Sequence, residues 1–327
     1  MNIKHLVLCG GGPVGLISYG VLKELSNKKI IKLDELKSIY ATSIGSIIGL
    51  IYLLNIEWSW IDDFIIKRPW ENLLNFSSAD YLNLMYSKGL LNDEFFIKVL
   101  EPLSLTKEID INITLSEFYE LTKIEFHIFT SNLNKFNKVD LNYKTHPDLE
   151  LYKAIMMSCS IPVLIQPPYY NNEYYLDGGI FTNSPLNDCY FCENCSKDEI
   201  LALTNDKRFI IDEDNIYYKD DNMNNKDNKD IDENTNIFKF LIFILKTVFR
   251  KIMVIENENF VETKNIISVC ISEHTVDLNY WNFVFTNQDE RKRLIELGKI
   301  QATKYIEKNG NVILDNSNNT LDNFIEQ

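Results

Sequence analysis

The run HLVLCGGGPVGLISYGVL, His5 to Leu22, constrains the fold more than any other stretch of this chain. His5 to Cys9 reads as a short buried strand. It ends in three consecutive glycines, after which Leu16, Tyr19, Leu22 and Leu25 recur at the spacing of one helix face. A strand, a glycine turn and a helix in direct succession open an α/β unit. The same switch follows at once: Leu36 to Ala41 reads as a second strand and Ile44 to Leu54 as a strongly apolar helix, buried on several sides.

The pattern continues along the chain. Thr114-Leu115-Ser116-Glu117 forms a capping-box signature ahead of a helix. KIEFHIFTSNL alternates as a strand, LYKAIMMSCSIP is a helix stopped near Pro162, and EYYLDGGIFTNSPL is a short strand with a glycine turn and a new start. EILALTN and NIISVCIS are further strands, and DERKRLIELGKIQATKYIEK is a closing amphipathic helix. Strands alternating with helices predict a parallel or mixed sheet with helices on both faces. At 327 residues, 45% of them hydrophobic, the chain suits one large core and a single domain with insertions.

Three segments stand apart. Residues from about 210 to 236 are polar, charged and nearly free of aliphatics; they bury too little apolar area to offset their ordering entropy, so a disordered insertion is expected there. A helical and strand extension, 237–310, follows a core of about 5–205, and the Asn-rich stretch 311–327 is expected to fray. Within the extension, Ile237 to Ile255 places Lys239, Lys246 and Arg250 on one narrow helical stripe in an otherwise apolar wheel. Its internal charges and modest length argue against a membrane span. The default expectation is a helix packed on the core, and the alternative is one that lies on a lipid surface.

The formal net charge of −14 argues against general affinity for nucleic acid or for acidic membranes. The N-terminus has no secretion-signal layout, so the six cysteines are expected as thiols in a reducing compartment and the protein as intracellular, cytoplasmic or peripheral to a membrane. Cys189, Cys192 and Cys195 have metal-like spacing, but no fourth ligand lies nearby in sequence and the four histidines are scattered, so they read as plain thiols.

The chemistry concentrates at three motifs. Gly10, Gly11 and Gly12 lie between a strand and a helix N-terminus, where backbone N–H groups favour negative charge. With Gly15 they also fit a dinucleotide fingerprint, but the second strand ends in Tyr-Ala-Thr-Ser instead of the acidic residue that a ribose requires. An oxyanion hole is the other use of the same geometry. Ser43 follows that second strand within Ala41-x-Ser43-x-Gly45, the layout of a nucleophile on a strand-to-helix corner. Asp177 ends an aromatic-rich strand and precedes Gly178 and Gly179; it reads either as an Asp-Gly turn or as a functional carboxylate at a strand end.

Taken together, CGGGPVG, ATSIG and LDGG, with AIMMSCSIPVLIQPP ahead of the aspartate and NSP after it, resemble the patatin-like phospholipase family in order and spacing. RLIELGKIQATKYI resembles the family's closing helix. The resemblance implies a patatin-like α/β three-layer sandwich over 1–327, with a mixed, mainly parallel central sheet and helices on both faces, and a lipid acyl hydrolase of phospholipase A type. Ser43 would be the nucleophile and Asp177 its base in a dyad, with the N–H groups of Gly10, Gly11 and Gly12 as the oxyanion hole. It implies no cofactor and no metal, a phospholipid or other acyl-ester substrate, and at most a peripheral membrane contact. Two residues depart from the family pattern: Ala41 replaces the first elbow glycine, and Val14 stands where Arg or Lys is usual. Three rivals remain: a Ser43–Asp177–His274 triad, a scaffold that binds lipid or protein without turnover, and a dinucleotide-binding protein.

Overall fold

The computed structural model describes residues 2–73, 84, 86–205, 231–235, 237, 240, 241, 243, 244, 247, 261, 263–269 and 278–321, the side chains of 278, 279 and 310–321 excepted. His274, Lys239, Lys246, Arg250 and most of the polar insertion lie outside the described residues.

The first strand, β1 (His5–Leu8), leads through the glycine turn into α1 (Val14–Asn27), and β2 (Ser38–Thr42) leads through Ser43 into α2 (Ile44–Leu53). After α3 (Trp58–Lys67) come β3 (Gly89–Leu91), α4 (Asp93–Leu105), α5 (Leu115–Thr122) and β4 (Glu125–Asn132). The chain continues through β5 (Asn137–Leu141), α6 (Leu151–Cys159), β6 (Val163–Ile165), β7 (Tyr169–Tyr170), β8 (Glu173–Asp177), α7 (Leu186–Glu193) and β9 (Ile200–Thr204). It closes with β10 (Ile266–Ser268), α8 (Leu278–Thr286) and α9 (Gln288–Leu321).

Eight strands form one mixed sheet in the order β10-β9-β1-β2-β4-β8-β7, with β5 also paired to β4. The run from β10 to β4 is parallel, whereas β5 and β8 pair antiparallel with β4, and β7 with β8. A small second sheet pairs β3 with β6. The central strands are buried on both faces, as parallel strands under helices must be. Alternation assigns their side chains to two cores. Leu6, Leu8, Ile39, Ala41, Phe126 and Ile128 enter the larger core, which also takes in residues of α1, α2, α6 and α9. Val7, Tyr40, Phe129 and Ala202 enter a smaller one under α7, with Leu186 and Cys189. His5 and His127 occupy the alternate positions in phase with Val7 and Tyr40's face, and both are buried.

The capping box at Thr114 forms as expected: its hydroxyl accepts from Glu117 N–H, and the Glu117 carboxylate accepts from Thr114 N–H at 2.9 Å. Two expectations change. Backbone helix continues to Leu321 through part of the stretch expected to fray. The apolar face of 237–255 was expected on the core, yet among its described residues Ile237, Phe240, Leu241 and Ile244 are exposed at 71%, 41%, 43% and 41%. The rest of the segment, apart from Phe243 and Thr247, lies outside the described residues.

Candidate active site

Ser43 sits on the corner that its flanking elements dictate. β2 ends at Thr42 and α2 begins at Ile44, so one residue carries the whole reversal, and Ser43 does so at φ 53° and ψ −128°. That conformation is strained for a residue with a side chain and persists only where neighbours over-determine it. Its N–H donates to Ser158 Oγ at 2.8 Å, while its carbonyl accepts from Ser46 Oγ at 2.6 Å. Ser158 is itself fixed by donating to Phe129 O at 2.6 Å. Gly45 makes the corner possible, because a Cβ there would lie 2.4 Å from the Leu8 carbonyl oxygen. Ala41 is an ordinary buried strand residue with no positive φ, so the departure from glycine falls where no left-handed backbone is needed.

Asp177 closes β8 against β4, in register with Thr130. Ser43 Oγ donates to Asp177 Oδ2 at 2.7 Å across 134 residues of sequence. The other carboxylate oxygen, Oδ1, accepts from Gly179 N–H at 2.7 Å, and Ser131 Oγ donates to the Asp177 carbonyl at 2.8 Å. Gly178 lies against the Phe129 carbonyl with no room for a Cβ. Burial disfavours the carboxylate and outweighs the two hydrogen bonds that support it, so the Asp177 pKa is pushed up to about 6. Ser43 and Asp177 are 7% and 3% exposed, leaving the pair at the edge of solvent and not within it.

The glycine turn lies beside this pair. Gly10 packs on Ser43 Cβ and Asn183, but its N–H already donates to Asn183 O at 2.9 Å, so it is not available to an oxyanion. Gly11 and Gly12 have φ of 142° and 57°, and among the described residues their N–H groups take part in no hydrogen bond. Gly12 is covered by the Trp281 ring of α8, and Gly15 packs on Ile44 at the head of α2. Val14 is fully buried in the larger core, a place for an aliphatic side chain and not for a cation.

From Ser43 a cavity of about 480 Å³ runs between α2, α4 and α8, lined by Ile47, Ile51, Phe95, Val99, Trp281 and Phe285 among others. Its size falls within the range of small-molecule sites, about 300–1,000 Å³. Cys159, on α6, also faces it; burial pushes this thiol well up, so it stays protonated. Arg291 also lines it; its Nη1 donates to Val284 O at 2.9 Å and Phe285 O at 2.5 Å and its Nη2 to Ile66 O at 2.6 Å, tying the ends of α8 and α3 together.

No histidine among the described residues joins the pair. His5 contacts Ser38, His127 contacts Asp140 and Glu125, and His146 contacts Thr145. Sequence reasoning missed Ser158, Asn183 and Trp281. Each acts through a fold-level contact, and only Asn183 and Ser158 carried a local hint, standing within the Asn-Ser-Pro and Ser-Cys-Ser-Ile-Pro runs.

The family model for patatin-like phospholipases matches residues 6–190, which include the glycine turn, Ser43 and Asp177. A probable lipid hydrolase, 463L, of Invertebrate iridescent virus 6 is 33% identical over 189 residues, 56% of this chain and 62% of that protein. The uncharacterized protein R571 of Acanthamoeba polyphaga mimivirus is 28% identical over 185 residues, 57% of this chain and 61% of that protein. The chain thus spans about three-fifths of the length of these relatives. Among solved structures, VipD from Legionella pneumophila is similar at 16% identity and a TM-score of 0.45, over 94% of this chain and 67% of that one.

Proposed function

Because the chain belongs to the patatin-like phospholipase family, we propose that it is a lipid acyl hydrolase that cleaves fatty-acyl esters with Ser43 and Asp177 as a dyad. The observation that carries this reading is the 2.7 Å hydrogen bond from Ser43 Oγ to Asp177 Oδ2 at the mouth of an apolar cavity. A nucleophilic hydroxyl requires a base within hydrogen-bond reach, and here the carboxylate accepts from it directly, with no imidazole between.

The steps follow from the geometry. Asp177 accepts the Ser43 proton as Oγ attacks the ester carbonyl. The carbonyl oxygen becomes an oxyanion facing the Gly11 and Gly12 N–H groups, where one such donor is worth about 3 kcal/mol of barrier. The tetrahedral intermediate expels the alcohol, which takes the proton from Asp177, and leaves Ser43 acylated. Water then attacks the acyl group while Asp177 accepts its proton. Collapse returns that proton to Ser43 and releases the fatty acid. A carboxylate with a pKa near 6 suits both halves, because it is ionised at neutral pH yet basic enough to hold a proton in transit. Gly179 N–H keeps Oδ1 engaged, so Oδ2 alone faces the hydroxyl.

The cavity supports an acyl chain as the group that is bound. Long hydrocarbon gains about 0.8 kcal/mol for each methylene removed from water, and the walls between α2, α4 and α8 offer little to a polar substituent. No described helix is long and apolar enough to cross a membrane. Contact with a lipid surface is instead proposed for the exposed residues Ile237, Phe240, Leu241 and Ile244, spaced as one helix face.

A fluorophosphonate probe tests the nucleophile. It should label the wild-type chain and fail on a folded Ser43→Ala variant; labelling that persists in that variant refutes the assignment. Product analysis on a panel of defined phospholipids and neutral esters then identifies the bond that is cut.

A further inference from the structure

The Cys189-x2-Cys192-x2-Cys195 run has no part in ester hydrolysis, and tertiary structure supplies it with ligands that are remote in sequence. α7 carries Cys189 and Cys192 and ends at Glu193; the chain then turns back through Asn194 at φ 46°. This brings Cys195 beside β1 and the start of β9. There the Cys195 thiol, a ring nitrogen of His5 and a carboxylate oxygen of Glu199 all lie within 4.8 Å of one another. His5 opens β1 and Glu199 immediately precedes β9, so the cluster marks the N-terminal edge of the parallel strands, opposite to Ser43.

The imidazole is already oriented. His5 is buried, and its Nδ1 lies 2.8 Å from Ser38 Oγ and 3.6 Å from Glu193 Oε2. An outer hydroxyl or carboxylate on one nitrogen is how metal-ligating histidines are held, with the other nitrogen presented to the ion. Glu199 is held by Ser196 N–H at 3.2 Å and by Lys4. Cys189 is fully buried nearby, and Cys195 is the neighbour with the largest electrostatic influence on it.

We propose that Cys195, His5 and Glu199 bind a zinc-class divalent cation, with Cys189 as the fourth donor. Thiolate, imidazole and carboxylate together suit Zn²⁺ and not the oxygen-loving Mg²⁺ or Ca²⁺. Zn–S bonds of about 2.3 Å and Zn–N bonds of about 2.0 Å place tetrahedral ligand atoms about 3.5 Å apart. The three donors therefore need to close by little more than an ångström. The Lys4 ammonium, on a flexible stem 28% exposed, moves to solvent as the ion takes its place on Glu199. Both thiol protons are released to solvent on binding and no electron is transferred. The ion would fasten the end of α7 to β1 and β9, a structural clip at the far end of the sheet from the ester chemistry. The competing arrangement is the one without an ion, in which Lys4 pairs with Glu199 and both thiols stay protonated.

The test uses the full chain, purified without chelators or a metal-affinity tag. Elemental analysis should find one zinc per chain, and Co²⁺ added after chelation should give thiolate-to-cobalt charge-transfer absorption in the near ultraviolet. Cys195→Ser should lose both the metal and the band, whereas Cys192→Ser, at an exposed position outside the cluster, should keep them. Chelation should lower the unfolding midpoint and leave the rate of fluorophosphonate labelling unchanged. Should Cys195→Ser fail to fold, the cobalt spectrum of the wild-type chain decides by itself. The assignment is overturned by a chain that neither retains zinc nor binds micromolar Zn²⁺ or Co²⁺. Cobalt binding without a thiolate band also overturns it, and would point to the neighbouring Glu125, His127 and Glu193 group. So does a Cys195→Ser variant with its metal intact.

Discussion

Replacing Asp177 by Asn should strengthen the fold at neutral pH while removing activity. Burial raises the Asp177 carboxyl from 3.8 to about 6, against the pull of its hydrogen bonds to Ser43 and Gly179. That is about two pH units, and at 1.36 kcal/mol per unit the ionised carboxylate costs the folded state about 3 kcal/mol. Asparagine has the shape of the protonated acid and the same hydrogen-bond sense: its oxygen can accept from Gly179 N–H and its NH₂ can donate to Ser43 Oγ. It therefore removes the cost of the charge and leaves the packing intact.

The sign follows from proton linkage. Between pH 3.8 and about 6 the folded chain holds a proton on Asp177 that the unfolded chain has lost, so wild-type stability falls as pH rises through this window. The contribution of the neutral acid is fully present below the unfolded value and lost above the folded one. The variant has no such dependence at this site, and every other titrating group is shared, so it cancels in the difference. Urea unfolding of both proteins at pH 3.5, 5, 6 and 8 (chosen to bracket those two pKa values) should give equal stabilities at the acid end. The gap in favour of Asp177→Asn should widen to about 3 kcal/mol at the alkaline end. A gap that does not change with pH, or a variant less stable at pH 8, would refute the claim that Asp177 is a desolvated carboxylate.

Further outcomes follow from the same geometry. In the wild type, the logarithm of kcat/KM on a soluble ester should rise with unit slope below about pH 6 and level above it, because only the ionised Asp177 can accept the Ser43 proton. Ser158→Ala should leave the Ser43 N–H without its buried partner, costing about 1–3 kcal/mol of stability; kcat should fall more than KM rises, read by steady-state kinetics beside urea unfolding. Ile51→Phe, which pushes a ring into the apolar cavity from α2, should depress turnover of long-chain esters at least tenfold, equivalent to about 1.4 kcal/mol of barrier, and spare acetyl or butyryl esters; equal loss for all chain lengths would show that acyl chains bind elsewhere.

The legible parts of this protein were those with local causes. The β1–glycine–α1 and β2–Ser43–α2 corners were readable because strand periodicity, a breaker and helix periodicity succeed one another within a few residues. The capping box at Thr114 was readable because its two partners are three positions apart. Asp177 was visible as a carboxylate at a strand end, but its union with Ser43 spans 134 residues, and no spacing rule could supply it; the family resemblance did. A similarly long separation hid Asn183, whose carbonyl engages the Gly10 N–H. It also hid Ser158, whose hydroxyl makes the strained corner tolerable.

The hairpin of β4 with β5 and the small β3–β6 sheet escaped notice for a different reason. β5 reads Asn-Lys-Val-Asp-Leu and β6 Val-Leu-Ile, the first too polar and the second too short to carry a periodicity. They are strands because a neighbour offers them a ladder of hydrogen bonds, which is a property of the partner and not of the segment. Metal ligands follow the same logic as the dyad. Near Cys195 in sequence stand only other cysteines and Glu199, whereas His5 opens β1 at the far end of the chain. What a sequence can disclose about a site of this kind is therefore the type of corner and the type of side chain. The carboxylate that Ser43 meets, the N–H groups beside it and the side chains around Cys195 are all decided by which strands become neighbours.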